Sequence, residues 1–327
     1  MTIADIAKEA GVSKATVSRV LSKPYLVNKD TREKINGLFK KYSYTPNSLA
    51  QGLAGMPTRN IGVVVDEFPN NFYIDLADGI DRVVSANNYS LQIMSSGWVP
   101  ERELQCIRAM VKNKVDGILI APAAPDSEPL EYLKKSGVPF VLMNCQDDDP
   151  ETSYVYCDNY KGGALMAEHL NSHGKDQIII ISVVDHQSVR ERIKGFTDHL
   201  NARMERIVRY TDAKTYKDGY DLAPFIVEQN SIRTKKTSLF VTNDYVAIGV
   251  IIRLLEMGIS IPDQAAVAGF DNIRISSLCR IPLTTVSQSV IEMGSIAATA
   301  LLNIINKTVD KPFRHIIEPR LVVREST

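Results

Sequence analysis

The sequence has no net charge, with 38 Lys and Arg against 38 Asp and Glu in 327 residues. No apolar run approaches the ~20 residues needed to span a bilayer. The start of the chain is interrupted by Asp5, Lys8 and Glu9 and lacks the apolar core of a signal peptide. No membrane partner and a cytoplasmic location are therefore expected. Cysteine is scarce: Cys106, Cys145, Cys157 and Cys279 stand far apart with no CxxC pair, which argues against a zinc ribbon or redox motif and predicts reduced core thiols. Neither GxGxxG after a strand nor GxxxxGK[ST] occurs, so neither a dinucleotide nor a nucleoside triphosphate is indicated. His169 and His173 sit four apart in EHLNSH, which is not HExxH and has no third ligand. No Ser, Cys or His lies in a recognisable nucleophile motif. Neither a metal, nor a cofactor, nor enzymatic activity is expected.

The charge of zero is a sum of two unequal parts. The first 60 residues hold ten Lys and Arg against four Asp and Glu, a charge of +6, so the remainder carries −6. A basic head favours nucleic acid, because cations displace the counterions condensed on phosphates. An acidic body does not. Globular proportions, 44% apolar and 23% charged, rule out wholesale disorder, and the length suggests more than one domain.

In the head, Ile3, Ile6, Ala7 and Ala10 recur at helical spacing, and Thr2 with Asp5 three residues on resembles a capping box. Gly11 ends that helix; Ser13 caps a second, running through Leu21 with Val17, Val20 and Leu21 facing inward. Two short helices joined by a glycine turn form a helix-turn-helix. The outward face of the second presents Lys14, Ala15, Ser18 and Arg19. Arg19 can donate bidentately to guanine O6 and N7, Lys14 to the same acceptors, and the Ala15 methyl can touch a thymine methyl. Thr2, Ser13, Thr16 and Ser18, with Asn28, Thr31 and Arg32 at the start of a third helix ending near Tyr42, suit phosphate oxygens.

TIADIAKEAGVSKATVSRVL, followed by YTPNSLAQGLAG, resembles the N-terminus of the LacI/GalR family of bacterial transcriptional repressors, and the resemblance continues along essentially the whole chain. It implies a DNA-binding head, a hinge that becomes helical on operator DNA, and a two-lobed core of the periplasmic sugar-binding type. On the family pattern Lys14, Ala15 and Arg19 are base-reading positions, and Leu53 is the leucine that paired hinge helices wedge into the minor groove. The hinge residues expected there are Asn47, Ala50, Leu53 and Ala54. Physically, eight residues from 47 to 54 with Gly52 among them form only a marginal helix in water. An apolar wedge between base steps is offset by the bend it allows. The expected division is therefore a helix-turn-helix domain over 1–45, hinge helix and linker over 46–58, and an effector-binding and dimerisation core over 59–327.

From Ile61 the text becomes alternating βα. Apolar runs at 61–65, 91–94, 117–121, 140–143, 178–182, 238–242 and 266–270 suit parallel strands buried on both faces. Amphipathic stretches at 73–88, 100–113, 160–173, 190–201, 217–230, 245–257 and 289–306 lie between them. The expected fold class is a small all-α helix-turn-helix head plus an α/β core of two doubly wound parallel-sheet lobes.

Ligands of open α/β sheets sit beyond the carboxyl ends of strands. The polar and aromatic residues found there are Asn70, Phe72, Tyr73, Ser95, Trp98, Asn144, Arg192, Asn243 and Asp271. An arginine fork, a carboxylate, side-chain amides and ring faces suit a neutral polyol. The resemblance adds Arg192 in its RxxGF setting, Asn243 of an Asn-Asp pair, and Asp271 in GFDN, where the family commonly has a second acid in place of Asn272. Asp244 reads as a helix cap, Trp98 as either a rim aromatic or a sugar platform, and Asp147-Asp148-Asp149 as a solvated loop.

The resulting expectation is a homodimer reading a pseudo-palindromic operator, its affinity lowered by a sugar inducer. The chain ends at VVREST without an apolar heptad tail, so no tetramerising coiled coil is expected. A purine-type corepressor on the same architecture is the alternative, and an α/β enzyme carrying an unrelated head the more distant one.

Overall fold

The computed structural model describes residues 2–22, 24–44, 57–68, 70–122, 127–173, 176–182, 186–200, 207–210, 213–309 and 312–327. These form two compact units, one ending at Arg59 and one starting at Asn60. The hinge residues Asn47, Ala50, Leu53 and Ala54 lie outside the described residues.

Among its described residues the first unit has three α-helices, α1 (Ile3–Ala10), α2 (Lys14–Ser22) and α3 (Lys29–Lys41). Thr2 Oγ1 accepts from the Asp5 amide at 3.3 Å while the Asp5 carboxylate accepts from the Thr2 amide at 2.8 Å, a complete capping box. Gly11, at φ 70°, ends α1 in the left-handed conformation that glycine adopts without penalty. Ile6, Ala7, Ala10, Val17, Val20 and Ile35 make the core; Leu21, expected inside, is half-buried. At roughly 1.5–3 kcal/mol per fully buried Val or Ile, so small a core leans on its caps, each worth ~1 kcal/mol.

The second unit contains two parallel sheets. One has the order β11 (Arg314–Ile317), β5 (Tyr154–Cys157), β4 (Phe140–Met143), β3 (Gly117–Ile120), β1 (Asn60–Val65), β2 (Ser90–Ser95). The other runs β7 (Ile207–Tyr210), β6 (Gln177–Ile181), β8 (Thr237–Val241), β9 (Ala265–Ala268). A short antiparallel pair, β10 (Thr285–Ser287) with β12 (Arg320–Val322), adjoins the second sheet through bridges at Ala268–Thr284 and Asp271–Ser287. Both sheets are covered by helices: α4 (Asn71–Ala86), α5 (Pro100–Lys112), α6 (Glu128–Ser136), α7 (Asn159–Asn171), α8 (Gln187–Asp198), α9 (Tyr216–Gln229), α10 (Asp244–Glu256) and α11 (Val290–Ile305). Helix-covered faces explain why β1, β3, β6 and β8 read as unbroken apolar runs rather than alternating ones.

Because β11 returns to the first sheet while β12 returns to the second, the chain passes between the lobes after β5, after β10 and after β11. Strands β5, β7, β10, β11 and β12 and helix α6 were not anticipated. β10 and β12 hold three residues each and β11 is mostly exposed, while β5 (YVYC) and β7 (IVRY) interrupt their aliphatic residues with tyrosine or arginine. Among the described residues no helix is long and apolar enough to cross a membrane.

Candidate functional site

In the head, Lys14, Ala15 and Arg19 are exposed on one side of α2, with Ser18 half-buried between them. Three of the candidate phosphate-binding side chains, Thr2, Ser13 and Asn28, are helix caps as well. Ser13 Oγ accepts from the Thr16 amide at 3.1 Å and shares a hydrogen bond with Thr16 Oγ1 at 2.9 Å. Asn28 Oδ1 accepts from the Thr31 amide at 2.8 Å, and Arg32 leans on the Pro24 carbonyl. Such caps leave the positive ends of α2 and α3 at the surface, where backbone N–H groups favour phosphate.

In the core, a cleft with about 470 Å³ of empty space, open to solvent, lies off the carboxyl ends of the strands. Arg192, on α8, is its most constrained member. Its Nε donates to Asn159 Oδ1 at 2.8 Å, its Nη1 donates to the Thr242 carbonyl at 2.6 Å and pairs with Asp271 Oδ1 at 3.1 Å, and its guanidinium lies 4.0 Å over the Phe270 ring. Nη2 takes no part in these contacts. Asp271 Oδ1 also accepts from Gln288 Nε2 at 2.6 Å, and Oδ2 takes no part in either contact. Burial pushes the Asp271 carboxyl up to about 6, opposed by Arg192 and Gln288. The near-complete burial of both partners makes the pair intolerant of losing one member.

The opposite wall is aromatic. Asn70 caps α4 by accepting from the Phe72 amide at 3.0 Å, which sets Phe72 and Tyr73 edge to face at 5.2 Å. Tyr73 Oη donates to Asp66 Oδ2 at 2.5 Å; burial lifts that carboxyl to about 7, with Glu103 adding to the rise and the Tyr73 bond opposing it. Trp98 Nε1 and Asn144 Oδ1 are buried beside the cleft without a hydrogen-bond partner. Trp98, Asn144 and Asp271 also hold positive φ of 62°, 56° and 114°, conformations that cost non-glycine residues energy and tend to gather where a binding surface is held in shape.

Residues 2–47 match the model of bacterial regulatory proteins, lacI family, and residues 167–327 match that of the periplasmic binding protein-like domain. Over 335 aligned residues the chain is 31% identical to catabolite control protein A of Priestia megaterium, spanning 100% of this chain and 99% of that protein. The chain belongs to the lacI family of bacterial regulatory proteins. The HTH-type transcriptional repressor PurR of Vibrio atlanticus is 29% identical over 330 residues, covering 99% of this chain and 98% of that one. Among solved structures, a LacI family transcriptional regulator from Enterococcus faecium with bound ribose aligns at a TM-score of 0.73 and 26% identity, over 82% of this chain and 98% of that one. The transcriptional regulator CelR–cellobiose complex aligns at 0.72 and 25% over all of both chains. This lacI-family chain is thus a DNA-binding transcriptional repressor with a ligand-binding core, and its relatives are transcription regulators.

Eight of the nine side chains singled out for the effector site of this lacI-family protein line one cleft: Asn70, Phe72, Tyr73, Trp98, Asn144, Arg192, Asn243 and Asp271. Ser95 does not; its Oγ donates to the Asp66 carbonyl at 2.8 Å on the other side of the strand end. The cap of α10 is Asn243, whose Oδ1 accepts from the Val246 amide at 2.9 Å, rather than Asp244. Asp244 is a fully buried strut that accepts from the Ile273 amide at 3.1 Å and from Thr285 Oγ1 at 2.6 Å, holding the loop that carries Asp271. Asn272 points away and accepts from Arg324 at 2.6 Å. Asp147 is buried, not solvated, between Thr152 Oγ1 and Lys134 Nζ, each at 2.7 Å.

Glu67, His186, Ser188, Val189 and Lys214 also line the cleft and were missed. Glu67 is the second residue beyond β1 and was findable by the strand-end rule. Lys214 follows β7, an unanticipated strand, and carried no usable signal, whereas His186 and Ser188 follow the anticipated strand β6 and were open to the same rule.

Proposed function

We propose that this repressor binds a neutral, hydroxyl-rich ligand, a sugar, between its lobes, and that the ligand acts as an inducer by lowering operator affinity. The observation that carries the reading is the set of hydrogen-bonding atoms in and just behind the cleft wall that these contacts leave over. Arg192 Nη2 and the buried Trp98 Nε1 are donors; Asp271 Oδ2 and the buried Asn144 Oδ1 are acceptors. Hydroxyl groups donate and accept at once and so satisfy such a mixed set, while Phe72, Tyr73 and Trp98 offer surface for the C–H face of a sugar ring. Net charge in the cleft is balanced, Arg192 against Asp271 and Lys214 against Glu67, which favours an uncharged ligand. Structural relatives holding ribose and cellobiose support the same class.

In this reading Lys14, Ala15 and Arg19 read bases; Thr2, Ser13, Thr16, Ser18, Asn28, Thr31 and Arg32 hold phosphates; and Asn47, Ala50, Leu53 and Ala54 engage the minor groove. Two heads of a homodimer meet the half-sites of a pseudo-palindromic operator, with the head over 1–45, hinge over 46–58 and core over 59–327. Ligand and operator are then linked through lobe angle by one coupling free energy. A thermal-shift screen of the full-length protein against monosaccharides, disaccharides, sugar phosphates and purines tests the ligand class. A rise in Tm with an unphosphorylated sugar is expected; a rise with a purine alone would overturn it.

A further inference from the structure

Two consecutive residues at the start of α8 reach across to the other lobe. His186 Nε2 lies 3.0 Å from the carbonyl oxygen of Pro122, just beyond β3. Gln187 Oε1 accepts from the Gln146 amide at 3.1 Å and from the Cys145 thiol at 3.3 Å, just beyond β4. Burial holds that thiol up at about 12, so it remains a donor. The tautomer of His186 follows from its neighbours. Its side chain caps α8 by accepting from the Ser188 amide through Nδ1 and lies 2.8 Å from Ser188 Oγ, so Nδ1 is bare and the ring proton sits on Nε2, facing an oxygen that can only accept. The ring also meets Trp98 edge to face at 6.1 Å.

These bridging residues alternate with cleft residues on both sides: Asn144 directly precedes Cys145, and Ser188 directly follows Gln187. We propose that His186 is a positioning residue which, together with Gln187, clasps the two lobes and sets the lobe angle on which operator affinity depends. A ligand that engages Asn144 and Ser188 then bears directly on the clasp, because neither can move without moving a bridging neighbour. With its O–H donated to His186 Nδ1, Ser188 Oγ keeps only acceptor capacity. This role is independent of which ligand the cleft takes.

The competing explanation is that His186 only caps α8, and two substitutions separate the roles. His186→Asn keeps a strong N-cap acceptor but is too short to reach Pro122. His186→Gln places an amide N–H near the position of Nε2. The readout is hydrogen exchange of the Gln146 amide in the ligand-free, full-length protein, together with its affinity for an operator selected from random sequence. In His186→Asn, Gln146 exchange is expected to quicken about five- to tenfold, the equivalent of one lost hydrogen bond, and operator affinity to change by a similar factor. His186→Gln, which gives up the Nδ1 cap, restores both, and amides inside α8 are unchanged in His186→Asn. Wild-type exchange at Gln146 in the Asn variant, acceleration confined to α8, failure of Gln to rescue, or an unaltered operator affinity would each overturn the proposal.

Discussion

Gly195 is the point where α8 comes closest to α7, and the RIKGF segment owes its glycine to that approach. A methyl group on Gly195 would lie 1.9 Å from the Tyr160 carbonyl oxygen and 2.7 Å from its carbon. Carbon and oxygen tolerate no closer than ~3.3 Å, so Gly195→Ala must separate the helices by about 1.4 Å. Arg192, three residues earlier on α8, reaches Asn159 at the start of α7 at 2.8 Å; that separation takes the bond beyond hydrogen-bonding range. Alanine gains ~1 kcal/mol of helix propensity. Against it stand an overpacking loss of ~1–3 kcal/mol and a lost charged hydrogen bond of ~1.5–3 kcal/mol. The net expected destabilisation is about 1.5–5 kcal/mol, or a Tm fall of roughly 3–15 °C for a core of this size. Thermal unfolding followed calorimetrically, with Gly163→Ala as a companion since its methyl would sit 2.0 Å from the Arg192 carbonyl, measures it. A Tm equal to or above wild type would show that the helix approach does not position Arg192.

The buried carboxyl of Asp66 makes stability depend on pH. With its pKa raised from 3.8 to about 7, the folded state holds the proton more tightly, so stability is greatest below the unfolded value and is lost as pH rises through about 7. Asp66→Asn removes that loss, and its stability relative to wild type should improve by a few kcal/mol between pH 4 and pH 8; denaturant titrations showing the opposite slope would contradict the assignment. Trp98→Phe keeps the ring surface but deletes the unpartnered donor, and ligand affinity by calorimetry should fall about fivefold; an unchanged affinity would return Trp98 to the rim. Arg19→Ala should cost ~1–3 kcal/mol at one operator position, whereas equal loss on all sequences would make it a phosphate contact.

Much of the fold was legible because its main strands are buried on both faces and its helices are amphipathic. The same logic explains the failures. β7 and β10 to β12 are too short or too exposed to leave an apolar run, so Lys214 had no strand end to mark it. Ser95 ends a strand whose side chains alternate between faces, and with both faces covered nothing in the sequence says which parity looks into the cleft. Asp244 and Asn243 are adjacent cap formers, and the choice between them was made by the loop at Ile273 and by Thr285, more than 25 residues away. Arg192 and Asp271 were visible through their motifs, but their mutual pairing, and the neighbours that confine each, are tertiary facts.

In the proposed function a sugar in this cleft governs DNA binding. Trp98 is the sole tryptophan and lines the cleft, so its fluorescence reports occupancy while the polarisation of labelled operator reports affinity in the same titration. Ribose, glucose and cellobiose, with hypoxanthine as the contrasting probe, are sufficient for the test. The expected result is that a sugar changes Trp98 emission and weakens operator binding over the same concentration range; a sugar that occupies the cleft without altering operator affinity, or hypoxanthine alone occupying it and strengthening binding, would contradict the account.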